Sequence, residues 1–192
     1  MNMKKLILFT IILMITISSL SMVSAELFGF GETEKEDVTF SDDSNNALFT
    51  ATVDKGTFER SSSFSGSVVP SSDSSIDYPS IGYTCSYNGT ELFVQYKPLT
   101  SYEYALDYYS SNSSYKVTEN DNIFVYDGTD EYGHNEWRVV ISDGKQGIIE
   151  ISKNEVTDFN DEDYNLIKEF IDTIDTNIPN SITVDGITLK YD

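Results

Sequence analysis

The chain is short of the side chains that build the common catalytic and zinc sites. Its 192 residues include one cysteine, Cys85, and one histidine, His134. One cysteine excludes an intramolecular disulfide bond, and one residue of each type cannot build a closed zinc site. A cysteine–histidine nucleophile would have to join Cys85, in the middle of a predicted strand, to His134, in a predicted turn. No G-x-S-x-G motif is present either. The sequence therefore favours a buried, structural Cys85.

Basic residues are also scarce. The chain has 12 Lys and Arg against 32 Asp and Glu, which gives a formal net charge of −20. Such a charge repels nucleic acid phosphates and anionic lipid surfaces, because binding either of them needs clustered Lys and Arg. Nucleic acid is therefore excluded as a partner, and a membrane is expected to be contacted only through the N-terminal segment.

The one long hydrophobic run lies at the N-terminus. Lys4 and Lys5 precede the apolar residues 6–17, and the small residues 23–25 offer a cleavage site. Residues 1–25 are therefore predicted to be a secretory signal peptide. An uncleaved anchor is the alternative, because the run is nearly long enough to cross a bilayer. In both cases we expect an extracytoplasmic protein, either secreted or membrane-tethered by this segment.

Composition divides the rest of the chain into three parts. Residues 26–46 are mostly acidic and predict a flexible leader. Residues 47–75 begin with β-prone runs on either side of Lys55-Gly56, which indicate a hairpin, and end in a serine-rich linker. The domain proper is predicted over 76–192, and the sequence leaves open whether the β-prone runs belong to it.

Residues 81–192 have the periodicities of an antiparallel sheet and two helices. Asn88-Gly89 and Asp143-Gly144 favour tight hairpin turns, because these dipeptides adopt positive φ easily. The predicted strands are 81–87, 91–97, 115–119, 122–127, 136–142, 146–152 and 181–192, the last being either a small hairpin or one bulged strand.

The first predicted helix, 101–111, starts with a capping box formed by Thr100 and Glu103. The second, 159–178, ends before Pro179. Each carries an apolar stripe at helical spacing, Tyr102, Ala105, Leu106 and Tyr109 in the first and Tyr164, Ile167, Phe170, Ile171, Ile174 and Ile178 in the second.

These elements predict an α+β fold, an antiparallel meander with two amphipathic helices, because tight turns cannot join parallel strands. The order of a helix like 101–111, a meander like 115–152 and a helix like 161–176 resembles the Mog1/PsbP-type α/β/α sandwich over roughly 81–178. The acidic, Asn-, Ile- and Tyr-rich style is also similar to uncharacterised exported surface proteins of methanogenic archaea. The sandwich resemblance implies an adaptor or accessory role more than an enzyme, and it brings no site residues with it.

Two places suggest ligand contact. Tyr104 and Tyr108 share one flank of the first helix, and exposed tyrosines suit contact with protein or glycan. The competing interpretation is that they replace other hydrophobic residues at a buried interface. His134 lies in the link 128–135, next to Trp137, which is predicted to open a strand and pack into the core. We predict that His134 is a surface residue and treat it as a third candidate for ligand binding.

Oxygen ligands are concentrated at Asp127, Asp130 and Glu131. Counted from Asp127, an EF-hand loop would need glycine and glutamate where Tyr132 and Arg138 stand, so that motif is excluded. A looser calcium site at the three acids is the only cofactor that the sequence suggests.

Two N-glycosylation sequons also occur, at Asn88 and Asn112, both in predicted turns.

We therefore predict a non-catalytic exported or cell-surface interaction or accessory domain. Its expected partner is another envelope or extracellular protein, or a glycan. The alternative is a secreted hydrolase that uses carboxylates or a bound divalent cation, because some pair among so many acids could flank a cleft.

Overall fold

The computed structural model describes residues 33–68, 78–120, 122–129, 133–153, 160–176, 178–184 and 186–190. The predicted signal peptide and the predicted domain boundary near residue 76 lie outside these ranges. Lys35–Asp192 forms one compact unit. The β-prone runs whose membership was open belong to the same unit as the rest.

The main element is an antiparallel sheet, here called the large sheet, to which the described residues contribute seven strands. Its strands lie in the spatial order β3-β4-β5-β9-β8-β7-β6, with every neighbouring pair antiparallel. In chain order they are β3 (Phe58–Val68), β4 (Tyr78–Tyr87), β5 (Thr90–Lys97), β6 (Tyr115–Asn120), β7 (Ile123–Thr129), β8 (Asn135–Ser142) and β9 (Ile148–Lys153).

A small sheet and a hairpin complete the strands. The small sheet contains β1 (Lys35–Ser41), β2 (Ala47–Asp54) and β10 (Ile174–Thr176), in the order β1-β2-β10. The hairpin pairs β11 (Ser181–Val184) with β12 (Ile187–Lys190), so the first of the two alternatives for the C-terminal segment is correct. The predicted α+β class with antiparallel sheets is confirmed.

Helix α1 (Tyr102–Ser111) begins one residue later than the predicted capping box requires. Its N-cap is Ser101, whose Oγ accepts a hydrogen bond from the Tyr104 N–H at 3.1 Å. The prediction of Thr100 as the cap is wrong, because Ser101 has the extended backbone that brings a side-chain oxygen over the first turn.

Helix α2 (Asp161–Ile171) has a reciprocal cap and is shorter than predicted. Asn160 Oδ1 accepts from the Asp163 N–H at 3.0 Å, and Asn160 Nδ2 donates to Asp163 Oδ2 at 2.8 Å. The prediction that the helix continues to 178 is wrong. The Thr173 N–H and hydroxyl both donate to the Phe170 carbonyl, and the following residues pair with β2 as β10.

The large sheet buries side chains on both of its faces. Trp137, Val139 and Ile141 of β8 point to one face, where the small sheet and α2 cover the main core. On the other face α1 lays its apolar stripe over Phe124, Tyr126, Val140 and Ile148. The predicted packing of Trp137 and of the α1 stripe is therefore confirmed.

Two segments that were predicted to lack regular structure are strands. Lys35–Ser41, within the predicted leader, pairs with β2 along its length and buries Phe40 completely. The serine-rich residues 61–68 continue β3 and pair with β4. Composition was misleading here because pairing with a neighbouring strand satisfies the backbone hydrogen-bonding groups even where few side chains are apolar. The prediction of a hairpin at Lys55-Gly56 is also wrong, since β2 and β3 belong to different sheets.

Two strand connections are organised in the same way, each by a buried aspartate. Asp42 accepts hydrogen bonds from the backbone N–H of Ser44 and Asn46, and Asp143 accepts from those of Lys145 and Gly147. Each carboxylate also holds a distant strand, because Asp42 accepts from the Thr183 N–H at 2.7 Å and Asp143 from the Tyr96 hydroxyl at 2.9 Å. The Asp42 carboxylate thus links the hairpin β11–β12 to the β1–β2 connection.

We expect Asp42 to contribute stability that depends on pH. Burial raises its pKa, but hydrogen bonds from Asn46, Thr183 and Ser44 together lower it below the ordinary value of 3.8. Because the folded-state pKa lies below the unfolded-state value, the stabilisation is complete above about pH 4 and is lost as pH falls through the folded-state pKa. Asp42→Asn should therefore lower the free energy of unfolding by about 1.5–3 kcal/mol at pH 7.

Urea denaturation of the wild type and of Asp42→Asn at pH 7 and at pH 3 measures this difference. The gap between the two proteins should narrow at pH 3. Asp107→Asn, which changes an exposed carboxylate on α1, is the matched control and should leave the wild-type pH dependence unchanged. A gap that is equally wide at both pH values would contradict the assignment.

Candidate functional site

The outer side of α1 carries an exposed aromatic pair. Tyr104 and Tyr108 are 56% and 40% exposed, and their rings stack with centroids 6.5 Å apart. Leu99, just before the helix, is also exposed. Among the described residues, three of the four large hydrophobic side chains that are exposed thus lie within 99–108, the fourth being Phe64 on β3. We call Leu99, Tyr104 and Tyr108 the tyrosine surface.

The tyrosine surface exists because α1 divides its tyrosines between two sides. Tyr102 and Tyr109 point inward, where Tyr109 stacks on Tyr126 with ring centroids 3.8 Å apart. Tyr104 and Tyr108 lie on the flank away from this core. Their exposure excludes the alternative that they pack at a buried interface, and ligand contact at these two residues stays a prediction.

The other predicted site residues are dispersed. His134 is exposed in the link between β7 and β8, as predicted. Asn88 is exposed at the tight β4–β5 turn, with a positive φ of 49°. Asn112 is half-buried at the C-terminus of α1, and its Oδ1 accepts from the Ser114 N–H at 3.0 Å. Of the two sequons, Asn88 therefore presents the more accessible acceptor.

The proposed calcium ligands are only partly visible. Asp127 is exposed on β7, opposite Lys116 of β6, whereas Asp130 and Glu131 lie outside the described residues. Within the described ranges, no group of three His, Cys, Asp or Glu side chains is close enough to hold a metal ion. The calcium site at these three residues stays a prediction.

Cys85 occupies the core, as predicted. It lies in β4 with 1% of its surface exposed, and its Sγ donates to the Leu92 carbonyl at 3.8 Å. Burial raises the pKa of the thiol to about 12, so the thiolate form is suppressed at neutral pH. This environment suits a structural cysteine and does not suit a nucleophile.

Sequence reasoning missed a buried charged cluster beneath α1. Glu150 of β9, which is 1% exposed, has its Oε2 2.8 Å from Lys97 Nζ of β5 and 3.9 Å from Arg138 Nη1 of β8. Arg138 Nε also lies 3.3 Å from Glu136 Oε1, and its guanidinium packs 5.7 Å from the centre of the Phe93 ring. Two cations and two carboxylates thus balance each other on this face of the sheet.

The geometry of the cluster suits charge compensation and does not suit glycoside hydrolysis. Neither Glu150 oxygen makes a well-aligned hydrogen bond with another described residue, so Glu150 depends on the charges of Lys97 and Arg138. Both carboxylates contact the same guanidinium, whereas a glycosidase pair needs an acid and a second carboxylate facing each other across a cleft. The strand alternation that buries Ile149 and Ile151 could have placed Glu150 on this face, but it could not have named its partners.

A groove of about 400 Å³ lies on the opposite side of β6 and β7 from α1. Its apolar floor is formed by Ile123 and Val125, and Tyr164 of α2 lines it from the helix. Its polar lining consists of Lys116, Thr118 and Asn120 of β6, Asp127 of β7 and Asp161 at the start of α2. The volume falls in the range of pockets that hold small ligands or single side chains.

No helix in the described part of the chain is long and apolar enough to cross a membrane. Comparison of the chain with protein-family models, with curated proteins and with solved structures gives no match.

Proposed function

We propose that this protein is a non-catalytic, extracytoplasmic interaction domain that contacts another envelope or extracellular component through the tyrosine surface. The observation that carries the proposal is the stacked, exposed pair Tyr104 and Tyr108. Aromatic side chains placed on a rigid element supply large contact area at little cost in side-chain entropy. The acidic surface and the N-terminal hydrophobic segment support the extracytoplasmic location.

The rigidity of α1 supports this role. The helix is fixed from below by a continuous aromatic layer, in which Tyr109 contacts Tyr115, Phe124 and Tyr126. A partner would therefore bind a preformed surface and would not have to order it. Glu136 and Glu150 do not provide the separate acid and second carboxylate that the hydrolase alternative needs, because both of them contact Arg138.

The Mog1/PsbP-type sandwich remains the specific fold that we propose. It is supported by the position of α1 and α2 on opposite faces of the large sheet. On this proposal the small sheet and the hairpin β11–β12 are additions to the sandwich. The adaptor or accessory role that the resemblance implies agrees with the interaction domain proposed above.

The double variant Tyr104→Ser/Tyr108→Ser tests the function. Central interface aromatics often contribute about 2 kcal/mol or more each, so retention of the purified chain without residues 1–25 on the isolated envelope fraction should fall at least about tenfold. Stability should change little, because both side chains are exposed. Protease or periodate treatment of the fraction distinguishes a protein partner from a glycan.

Phe64→Ser is the matched control, since it removes the other exposed aromatic from a different place in the fold. It should leave retention unchanged. Equal retention of the wild type and the double tyrosine variant would exclude the tyrosine surface as the contact.

A further inference from the structure

The groove lies beside an open edge of the large sheet. β6 is the terminal strand, and within the described residues no other strand lies on its outer side. Lys116, Thr118 and Asn120 of β6 stand opposite Asp127, Val125 and Ile123 of β7, and all six line the groove. A chain added next to β6 would therefore have every second side chain at the mouth of the groove.

The phase of the β6–β7 ladder shows which backbone groups face outward. The Thr129 N–H donates to the Ser114 carbonyl, which fixes this pair as hydrogen-bonded. Hydrogen-bonded pairs alternate with non-bonded pairs in an antiparallel ladder. The N–H and C=O of Val117 and Glu119 therefore point away from β7. An extended peptide could form two consecutive rungs of hydrogen bonds with these four groups.

The charges around the groove favour a cationic occupant. Asp127 and Asp161 are both exposed carboxylates on its lining, and Lys116 is the one cation among the described lining residues. The whole chain, with a net charge of −20, adds a long-range attraction for a cation. A lysine or arginine has an aliphatic stem for the floor and Tyr164, and a charged head for the two aspartates.

We propose that β6 receives an extended basic segment of another protein as an added strand, with a lysine or arginine of that segment lying in the groove between β6–β7 and α2. Backbone hydrogen bonds at Val117 and Glu119 supply the affinity, and the groove supplies the choice of side chain. The charges on β6 act against pairing with a second copy, because charged edges oppose self-association. The site lies on the opposite face from α1 and is independent of the tyrosine surface.

Titration of the ¹⁵N-labelled full chain followed by backbone NMR tests the proposal. The probe is an acetylated, amidated heptapeptide in which arginine alternates with valine. We expect chemical-shift changes at the amides of Val117, Glu119, Ile123 and Tyr164, and slowed hydrogen exchange at Val117 and Glu119. The same peptide with glutamate in place of arginine should bind at least about tenfold more weakly. High salt should weaken binding of the arginine peptide to the wild-type chain by a similar factor.

Matched variants separate the two parts of the site. Glu119→Pro removes an outward N–H without removing a β6–β7 hydrogen bond, and Glu119→Gln changes the same charge while keeping the N–H. Only the proline variant should abolish the slowed exchange at Val117. If it fails to fold, a peptide N-methylated at alternate residues replaces it and should not bind. Asp127→Asn/Asp161→Asn should weaken the arginine peptide about tenfold and should not weaken the glutamate peptide.

Several outcomes would overturn the proposal. These are shifts confined to β3 at the other edge of the sheet, equal binding of the arginine and glutamate peptides, and binding without protection of Val117 and Glu119. Concentration-dependent shifts of the same amides without any peptide would assign the edge to a second copy instead. None of these results bears on Tyr104 and Tyr108, which lie on α1.

Discussion

Replacing Glu150 with alanine should lower the free energy of unfolding by about 3–5 kcal/mol, the cost typical of breaking a buried ion pair. Glu150 is the one carboxylate within 3 Å of Lys97 among the described residues, and it is also close to Arg138. Among the described residues, its removal leaves these two cations with only the partly exposed Glu136, which is near Arg138. Urea denaturation at pH 7 measures the loss.

Two further variants test whether charge is the reason. Glu136→Ala removes a more exposed partner of the same guanidinium and should lose about 1 kcal/mol, as partly exposed pairs do. Lys97→Met/Glu150→Met removes both charges of the close pair and should be more stable than Glu150→Ala, because apolar replacements avoid the cost of desolvating the pair. If Glu150→Ala loses no more than Glu136→Ala, the cluster is not held by Glu150.

The cluster shows where sequence periodicity stops being informative. Alternation in β8 correctly predicted that Trp137 packs into the core, and the same reasoning applied to β9 could have placed Arg138 and Glu150 together on the other face of the sheet. Which charges meet depends on the order of strands, because β9 inserts between β5 and β8. Lys97 and Glu150 are far apart in the chain, and neither local propensity nor spacing brings them together.

The errors at the N-terminal side have a related cause. In β1 the alternation of Val38 and Phe40 was a usable signal, but the acidic residues around them dominated the composition. In β3 the serines carry almost no burial signal, and the strand is specified by its pairing with β4. Local turn chemistry was more reliable. Asn88 and Gly89 adopt the positive φ values that their dipeptide predicts, because that preference needs no distant partner.

The candidate sites also differ in whether local sequence or the tertiary fold creates them. The exposed flank of α1 could be predicted, since helical spacing alone separates Tyr104 and Tyr108 from the buried stripe. The groove could not, because it needs Asp161 and Tyr164 of α2 to lie beside β6 and β7. Asp127 was singled out for its oxygen ligands, and among the described residues it lies beside Lys116 and Asp161 in the groove. Residue type thus indicated single candidate residues, whereas only the fold shows which of them lie together.

Phe170→Ala should be comparably destabilising, by about 3–5 kcal/mol, the usual cost of truncating a fully buried phenylalanine. Phe170 is the side chain that joins α2 to three strands, because its ring contacts Phe40 of β1, Phe58 of β3 and Tyr87 of β4 at centroid distances of 6.4, 6.0 and 5.1 Å. Truncation leaves a cavity among rings that belong to two different sheets, and such rigid neighbours close it poorly.

Phe170→Leu keeps most of the volume and should cost about 1.5 kcal/mol or less, while Phe64→Ala, at an exposed aromatic, should stay within about 0.5 kcal/mol of the wild type. Urea denaturation of the three variants ranks them. Hydrogen exchange then locates the effect. We expect faster exchange in α2 and β1 than in β7 and β8, which lie towards the opposite edge of the large sheet from β3 and β4. Uniformly faster exchange in every strand would show instead that the two sheets and α2 unfold as one unit, so that Phe170 stabilises the whole fold and not the seat of α2 alone.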